Sequence, residues 1–516
     1  MIERKLGKRK IFLGCLIFLM LGVGVACQLT SPRPASWAGT PTAEARNTEI
    51  ALTQAAIASA NTFVFTPTLP TRTPITTPST TVTTTFPDNQ QEGPWFIFPR
   101  PEGEGLIAYN LNSRKADVIS LPEPIIIADL KRGAAPDGSK LMLRAGSAHN
   151  TDELALYQID LPSFEVSQIT PLLSIKVQRK IVNNEGTRAQ ETLSIVTRPD
   201  GLAWSPNGRY LAFSAALHQE NSDLYVFDAI NNRIERLNGL YSQNASPAWS
   251  PGGDWLISQE LEYNRQHEIW HSELISGIHL PQFDHQNTLY LPPTTSIEEV
   301  FVGWLNSNAF LSYSITENGS EMLRQVNVEG LKNFLIFEGL FQQVAIDPNT
   351  GITAFNLNFS TAINQGLSGG VYRIEPDSPL KNLQAEGDWK HLTWDPGGMF
   401  VASGSQGVLL FTPQGESKLL PGERDARLSP NGNWFIAWGD GKNSTSGARL
   451  FQSHSINPLQ TLIDKPVETL IWQPDSKGFL ILSEGTLYHF IFPGLKPEEI
   501  ITGLPVESDF IWAWVD

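Results

Sequence analysis

Four of the nine histidines in this chain lie close together, and they are its clearest candidates for chemistry at a site. His267 and His271 are four residues apart, so on a β-strand they would share one face. His279, Asp284 and His285 follow shortly after them. Neutral imidazoles together with a carboxylate can hold a metal ion. The pair His267 and His271 is therefore a candidate metal site, and surface or hydrogen-bonded histidines are the ordinary alternative.

Other catalytic signatures are absent from the sequence. There is no His-Glu-x-x-His pair, and no Gly-x-Ser-x-Gly turn that would present a nucleophilic serine. The glycines lie in turns between apolar runs rather than between a strand and a helix, which argues against a phosphate-binding loop. We therefore assign no catalytic residue and expect no cofactor.

A basic segment at about 172–200 interrupts an otherwise acidic chain. Residues 173–182 and 191–196 resemble strands, and 183–186 resembles a turn, so the sequence predicts a β-hairpin insertion. We expect this hairpin to contact an acidic protein or a glycan. The alternative is a surface hairpin that binds no partner and whose charged face is solvated. Its candidate partner-binding residues are Lys176, Arg179, Lys180 and Arg188.

The net charge of the chain limits the classes of partner. The formal net charge is −16, and such a surface repels the phosphate backbone of nucleic acids. It also gains no electrostatic attraction to anionic lipid surfaces. We therefore expect no nucleic-acid partner. Simple solubility is the plainest reason for the acidity.

The N-terminus has the pattern of an export signal. Five basic residues within the first ten precede an apolar stretch at 11–26, which is short for a membrane span and suits a signal peptide. The stretch ends in small residues before Cys27 and resembles a bacterial lipobox, which implies lipidation of Cys27. An uncleaved anchor helix is the alternative. Both interpretations place the rest of the chain outside the cytoplasm.

Residues 27–92 form a linker that is first Ala-rich and then Thr/Pro-rich. This composition cannot bury a core and favours extended conformations, so the sequence predicts a disordered stalk. Both cysteines lie within the first 27 residues. The domain that we expect at 93–516 therefore has no disulfide and no thiolate ligand.

A short phrase recurs eight times along that domain: an apolar residue, a turn centred on Pro or Asn, and an apolar run. Its clearest copy runs from Trp204 to Phe213. Each turn is followed by alternating residues and by two further strand-like runs, so each repeat predicts four strands. A repeat of about 40–50 residues without helical periodicity is typical of a β-propeller. Tryptophans recur at one position of the phrase, where we expect them to pack between blades: Trp204, Trp249, Trp304, Trp394 and Trp472.

The phrase Trp-Ser-Pro-Asn-Gly followed by Leu-Ala-Phe resembles the repeat of TolB-like β-propellers, also called PD40 or WD40-like repeats. The copies that start at Trp249, Trp394 and Leu428 match well, and those at Trp304 and Ile346 are degenerate. The resemblance covers residues 95–516 and implies a fold rather than a site.

We therefore predict an all-β protein with a single propeller of about eight four-stranded antiparallel blades. Blade numbers from seven to nine agree with the sequence. The strand-like runs 95–98, 106–109 and 117–119 precede the first phrase, and another, 510–515, ends the chain. Pairing of the last strand with the first would close the ring and remove an exposed edge. Taken literally, this closure would add a ninth blade.

The function that we expect is that of a non-enzymatic, lipid-anchored scaffold of the bacterial cell envelope. Rigid blades hold variable loops at the faces of a propeller, where recognition usually occurs. The expected partner is a protein or a glycan, and we expect a monomer. The alternative is a carbohydrate-active or metal-dependent enzyme, of the lyase or hydrolase kind, that uses the mouth of the channel.

Overall fold

In this computed structural model, the described residues are 81–82 and 94–513, apart from internal gaps. The gaps are 101–104, 151–152, 162, 219, 238–242, 265–268, 280–288, 292–295, 317–318, 330–331, 340, 342, 348, 358–361, 363–365, 375–379, 384–388, 395–397, 412–416, 441–445, 454, 456 and 505–510. The chain divides into two compact units, 1–73 and 74–516. All described residues belong to the second unit, so the predicted signal peptide, Cys27 and most of the predicted stalk lie outside them.

The second unit is a β-propeller of nine four-stranded antiparallel blades. From the inner to the outer strand, blade 1 contains β36 (Ile511–Ala513), β2 (Trp95–Pro99), β3 (Leu106–Asn110) and β4 (Lys115–Ile119). Blade 2 contains β5 (Lys140–Ala145), β6 (Ala155–Asp160), β7 (Val166–Pro171) and β1 (Thr81–Val82). Blade 3 contains β8 (Leu202–Trp204), β9 (Tyr210–Ala215), β10 (Asp223–Asp228) and β11 (Arg233–Arg236).

The next three blades follow in chain order. Blade 4 contains β12 (Gln243–Trp249), β13 (Trp255–Asn264), β14 (Ile269–His279) and β15 (Leu289–Leu291). Blade 5 contains β16 (Ser296–Asn306), β17 (Ala309–Thr316), β18 (Glu321–Asn327) and β19 (Lys332–Glu338). Blade 6 contains β20 (Val344–Ile346), β21 (Thr353–Leu357), β22 (Gly370–Ile374) and β23 (Lys381–Asn382).

The last three blades complete the ring. Blade 7 contains β24 (Trp389–Trp394), β25 (Phe400–Gly404), β26 (Gly407–Phe411) and β27 (Ser417–Leu420). Blade 8 contains β28 (Asp425–Leu428), β29 (Trp434–Asp440), β30 (Ser446–Gln452) and β31 (Gln460–Ile463). Blade 9 contains β32 (Thr469–Trp472), β33 (Gly478–Ser483), β34 (Thr486–Ile491) and β35 (Glu498–Thr502).

The repeated phrase forms the turn between the first two strands of a blade. In blade 3, the Ser205 N–H donates to the carbonyl of Tyr210 at 2.7 Å, and the Tyr210 N–H donates to Ser205 Oγ at 2.9 Å. Gly208 has a φ of 68°, which an L side chain rarely adopts. The serine hydroxyl thus satisfies a main-chain donor inside the hairpin. The same two contacts recur between Ser250 and Trp255 and between Ser429 and Trp434.

Eight blades carry one copy of the phrase each, and closure of the ring adds the ninth. β36 pairs with β2 in antiparallel register, so the last strand of the chain forms the inner strand of blade 1. This confirms the predicted closure, and the blade number lies at the upper end of the predicted range. Blade 2 departs from the pattern, because β1 forms its outer strand and isolated bridges replace its inner strand.

Among the described residues, an apolar layer lies between each pair of neighbouring blades. Blades 3 and 4 bury Leu224 against Leu256, and blades 7 and 8 bury Val401 against Phe435. The layer between blades 9 and 1 contains Phe96 and Phe98 beside Leu480 and Leu482. A continuous ring of such layers leaves the inner strands and the loops at both faces available for a site.

The insertion at 172–200 is helical, so the predicted β-hairpin is wrong. It contains α2 (Ile175–Val182) and α3 (Thr187–Val196); a single-turn helix, α1 (Asp129–Arg132), precedes blade 2. The predicted turn at 183–186 is present, and Gly186 in it has a φ of 83°.

The buried residues of the insertion explain why it is helical. Val177 and Ile181 are four residues apart, so on a helix they face the same way, whereas the strand prediction counted only the apolar residues. The Ser174 side chain accepts from the Val177 N–H and caps the first turn of α2. Val177 and Ile181 pack into the layer between blades 2 and 3, and Ile195 of α3 packs beside Ala245 of blade 4.

Candidate ligand-binding site

A cavity of about 640 Å³ lies where the inner strands of blades 7, 8 and 9 meet. Side chains of β24, β28 and β32 line it, together with two residues just before β28 and β32. Its polar and aromatic lining residues are His391, Thr393, Trp394, Arg424, Asp425, Arg427, Trp438, Glu468 and Trp472. We name it the 7–9 cavity.

The alternation of strand β28 sets the character of the 7–9 cavity. Asp425 and Arg427 point to one side of the strand, while Ala426 and Leu428 are buried in the layer against blade 7. The Arg427 side chain is 45 % exposed and lies 3.5 Å from the Asp425 carboxylate. One inner strand therefore presents an opposite pair of charges to the cavity.

Aromatic rings hold the Arg427 segment in place. The Arg427 guanidinium lies 6.0 Å from the centre of the Trp438 ring, at the outer limit of a cation–π contact. The Trp472 indole N–H of blade 9 donates to the main-chain carbonyl of Arg427 at 3.2 Å. Both indoles are buried. The cationic side chain is thus exposed on a backbone that two blades fix.

Glu468 is the most unusual acid of the 7–9 cavity. Its Oε1 accepts from the Glu484 N–H at 2.9 Å, and its Oε2 is buried without a hydrogen-bond partner among the described residues. Burial, with a smaller effect of the Glu484 charge, raises the pKa of Glu468 above its ordinary value. The unpaired oxygen of Glu468 can accept a hydrogen bond from a ligand.

The loop before β28 is held by a separate ion pair. Glu423 is 5 % exposed and contacts the Arg449 guanidinium of β30. The Arg424 N–H donates to the Trp438 carbonyl at 2.6 Å. Burial lowers the pKa of Arg449 below its ordinary value. These contacts fix the main chain that carries Arg424 into the cavity.

The chemistry of the 7–9 cavity is that of recognition. It combines guanidinium groups, carboxyl groups of two different characters, an imidazole and indole surfaces. Such a set can orient a ligand that carries both an acidic group and a flat or apolar part. Among the described residues, no group of three or more His, Cys, Asp or Glu side chains is close enough to hold a metal ion.

The candidate metal pair cannot be assembled from the described part of the chain. His267 lies in the gap 265–268, outside the described residues. His271 lies on β14, where it pairs with Glu262 in the register of blade 4. His279 lies at the other end of β14, where its ring centre is 4.6 Å from that of Trp255. The metal site therefore stays a prediction.

The basic residues of the insertion are largely engaged with blade 3. Lys176 and Lys180 lie 3.0 and 2.6 Å from the Glu220 carboxylate, and the Arg188 Nε donates to Asn221 at 2.9 Å. Arg179 is exposed on α2. Partner binding by this set stays a prediction, and Glu220 balances one of its four positive charges.

The recurring tryptophans lie at contacts between blades. Four of them donate an indole hydrogen bond of 2.7–3.2 Å to a main-chain carbonyl of the preceding blade, which lies on the inner strand in the last three cases: Trp204 to Gly133, Trp249 to Ala203, Trp394 to Ala345 and Trp472 to Arg427. Trp304 instead packs on Phe301 and Phe310, and its buried N–H has no partner among the described residues. The acceptor residue always directly precedes the first position of the phrase.

Sequence reasoning missed the 7–9 cavity itself. Trp394 and Trp472 belong to the phrase, but Arg427 and Glu468 occupy positions of the blade where the repeat has no fixed residue. A charged pair at alternate positions of an inner strand, as in Asp425 and Arg427, is the one signal in the sequence. Which blades meet at a cavity is a property of the ring.

The comparisons with known proteins agree with the fold. No protein-family model matches the chain, and a search of curated proteins gives no match. The crystal structure of a eukaryotic initiation factor is similar, with a TM-score of 0.51 and 10 % identity, over 82 % of this chain and 99 % of that one.

Two enzymes are more weakly similar. Dipeptidyl peptidase 4 of Porphyromonas gingivalis has a TM-score of 0.45 and 12 % identity, over 73 % of this chain and 60 % of that one. An oligogalacturonate lyase in complex with manganese has a TM-score of 0.38 and 12 % identity, over 78 % of this chain and 100 % of that one. At these identities the likeness concerns the fold alone. Within the described residues, no helix is long and apolar enough to span a membrane. The chain is a β-propeller protein.

Proposed function

We propose that this protein is a TolB-like β-propeller, anchored outside the cytoplasm by a lipid on Cys27, that binds a ligand or partner in the 7–9 cavity. The observation that carries the binding role is the exposed Arg427 on a fixed backbone, in a cavity that the half-paired carboxyl group of Glu468 also lines. Polar groups that are fixed and incompletely paired favour an added ligand, because the ligand completes their hydrogen bonds.

The family and the anchor rest on the sequence. The Trp-Ser-Pro-Asn-Gly phrase supports a TolB-like propeller, and the basic and apolar N-terminus before Cys27 supports lipidation at the cell envelope. A scaffold is favoured over a carbohydrate-active or metal-dependent enzyme because the sequence has no catalytic signature such as His-Glu-x-x-His or Gly-x-Ser-x-Gly.

The binding role is tested by crosslinking on intact cells that carry the full chain. Arg427→Glu reverses the charge of the cavity, and Arg233→Glu on β11 is its matched control. Both arginines are nearly half exposed, and each pairs with an acid two residues away on its own strand, Asp425 or Glu235. We expect Arg427→Glu to reduce at least one crosslinked product about tenfold, while Arg233→Glu leaves the products unchanged. Identical products from both variants and the native chain would refute a site in the 7–9 cavity.

The anchor is tested separately. Cells fed an alkyne-tagged fatty acid should label the native chain and Cys15→Ser, but not Cys27→Ser. Label retained on Cys27→Ser would show that the anchor is elsewhere. This outcome is independent of the crosslinking result, so the lipid anchor and the binding site in the 7–9 cavity are tested separately.

A further inference from the structure

One face of helix α2 is open to solvent. The insertion joins β7 of blade 2 to β8 of blade 3, so α2 lies at a face of the propeller, where a partner can reach it. Its buried side chains, such as Val177 and Ile181, pack against the blades. Ile175 and Val182 are 53 % and 51 % exposed, and Arg179 between them is also exposed. These three residues are four and three positions apart, so they form one stripe along the helix, which we name the α2 stripe.

Arg179 differs from the other basic residues of the insertion, because its guanidinium has no ion pair or hydrogen bond with any described residue. The helix itself offers it no acid, since the positions three and four residues away on either side hold two aliphatic residues, a lysine and an asparagine. Lys176 and Lys180 share the single carboxylate of Glu220, at 3.0 and 2.6 Å, so one positive charge remains beside Arg179. An anionic group from outside this segment is therefore attracted to the α2 stripe.

Charge decides which occupant fits the α2 stripe. A second copy packed on it with Arg179 at the centre would bring two guanidinium groups together, and like charges opposite each other destabilise a contact. The predicted linker does not supply the missing charge, because residues 50–87 contain no Asp or Glu. An anionic membrane would gain only two aliphatic side chains from a chain of net charge −16, which is a weak basis for binding. The occupant that fits is an acidic protein surface.

We propose that the α2 stripe binds a helix of a partner protein, in which one acidic side chain lies between two apolar ones on the same face. The partner's carboxylate accepts hydrogen bonds from the Arg179 guanidinium, and its apolar side chains cover Ile175 and Val182. Two helical turns form a small interface, so the contact is a transient one. The proposal narrows the partner-binding surface expected from the sequence to three residues of α2, and it does not depend on the 7–9 cavity.

A designed peptide tests the proposal on the full chain. The probe is a fluorescent helical peptide of about 20 residues, with Leu, Glu and Leu on one face at positions i, i+4 and i+7 and no other charge. In a matched peptide, Lys replaces the Glu. By fluorescence anisotropy, we expect the native chain to bind the Glu peptide about tenfold more tightly than the Lys peptide. Arg179→Glu should reverse this preference, which the loss of a residue that merely stabilises the helix would not do.

Arg233→Glu on β11 is the matched control, since that arginine is also exposed, and it should keep the native preference. Ile175→Ser should weaken the binding of both peptides alike, because the apolar contact is common to them. Thermal melts verify the fold of each variant. The proposal is overturned by no binding of the Glu peptide at about 1 mM, by equal binding of the two peptides, or by an unchanged preference in Arg179→Glu. Release of the peptide by phosphatidylglycerol vesicles, but not by phosphatidylcholine vesicles, would assign the α2 stripe to a membrane and would also overturn it.

Discussion

Removal of the Arg144 side chain should detach the helical insertion from blade 2. Arg144 and Asp129 are both fully buried, and the guanidinium lies 2.7 Å from the carboxylate. The same guanidinium donates at 2.6 Å to the carbonyls of Val196, at the end of α3, and of Arg198. One cation thus joins the segment before blade 2, strand β5 and the end of the insertion.

The expected cost follows from what Arg144→Met leaves behind. The methionine fills a similar volume but leaves the buried Asp129 carboxylate without its partner. Removing one member of a buried ion pair typically lowers stability by about 3–5 kcal/mol. Burial already raises the pKa of Asp129 despite the guanidinium, so the variant should bind a proton there more readily. Arg209→Met is the control, because Arg209 pairs with Asp228 at 3.0 Å on the surface, where an ion pair contributes little to stability.

Hydrogen exchange measured by mass spectrometry reports the effect locally, which matters because nine blades need not unfold in one step. In Arg144→Met, we expect the amides of α3 to exchange at least a hundredfold faster, as about 3 kcal/mol of lost protection implies. Those of blades 7–9 should be unchanged. In Asp129→Leu/Arg144→Met, part of the protection should return, because no charge is then buried alone.

Gly201 provides an independent check on the same contact. A Cβ at Gly201 would lie 2.3 Å from Nη1 of Arg144. Gly201→Ala should therefore destabilise α3 strongly in the native chain and much less in Arg144→Met, where that atom is missing. Two results would show that Arg144 does not hold the insertion. One is that the effects of Gly201→Ala and Arg144→Met on α3 are additive, and the other is that α3 in Arg144→Met keeps its protection to within about 1 kcal/mol of the native value.

Three further predictions concern single residues. Burial lowers the pKa of His489 from 6.5 to about 4, so the neutral imidazole contributes its full share of folding stability above pH 6.5. This contribution is lost as the pH falls towards 4, and about 2 kcal/mol is lost at pH 5. Thermal melts at pH 7 and pH 5 should show a smaller difference for His489→Phe than for the native chain, and an equal difference would contradict the assignment. Trp472→Phe should lower the free energy of unfolding in urea by about 1 kcal/mol more than Trp304→Phe, because, of these two indoles, only that of Trp472 donates to a neighbouring blade. Equal losses for the two variants would contradict this explanation. Gly208→Ala should cost about 1 kcal/mol through its positive φ, while Gly494→Ala, which has open space and no such φ, should be close to neutral; a larger cost for the second would be inconsistent with a backbone origin.

The repeated phrase made the blades predictable. Its turn is local: Ser205, Gly208 and Tyr210 make their contacts within six residues, so their types and spacing are sufficient to indicate a hairpin. Strand alternation is also local. The ring closure was predictable for a different reason, since the strand-like runs at both ends of the domain each need a partner strand.

The insertion and the site were less predictable. The segment 172–200 has apolar residues that suit a strand or a helix. Its secondary structure depends on which of these residues can be buried between blades 2 and 3 and beside blade 4. Its basic residues looked like a binding surface, but Glu220, from a loop of blade 3, faces two of them. No local rule relates Lys176 to a residue 44 positions away.

The sequence by itself determined the class of fold and the four-stranded repeat, because both depend on contacts between residues that are near each other in the chain. It also indicated the closing strand, although that strand pairs with residues at the other end of the domain. Only the tertiary structure decided that there are nine blades, that the insertion is a helical hairpin, and that β24, β28 and β32 enclose a cavity. Those features depend on which distant segments meet around the ring. Partial burial of Glu468 and exposure of Arg427 arise there, and with them the chemistry of the proposed site.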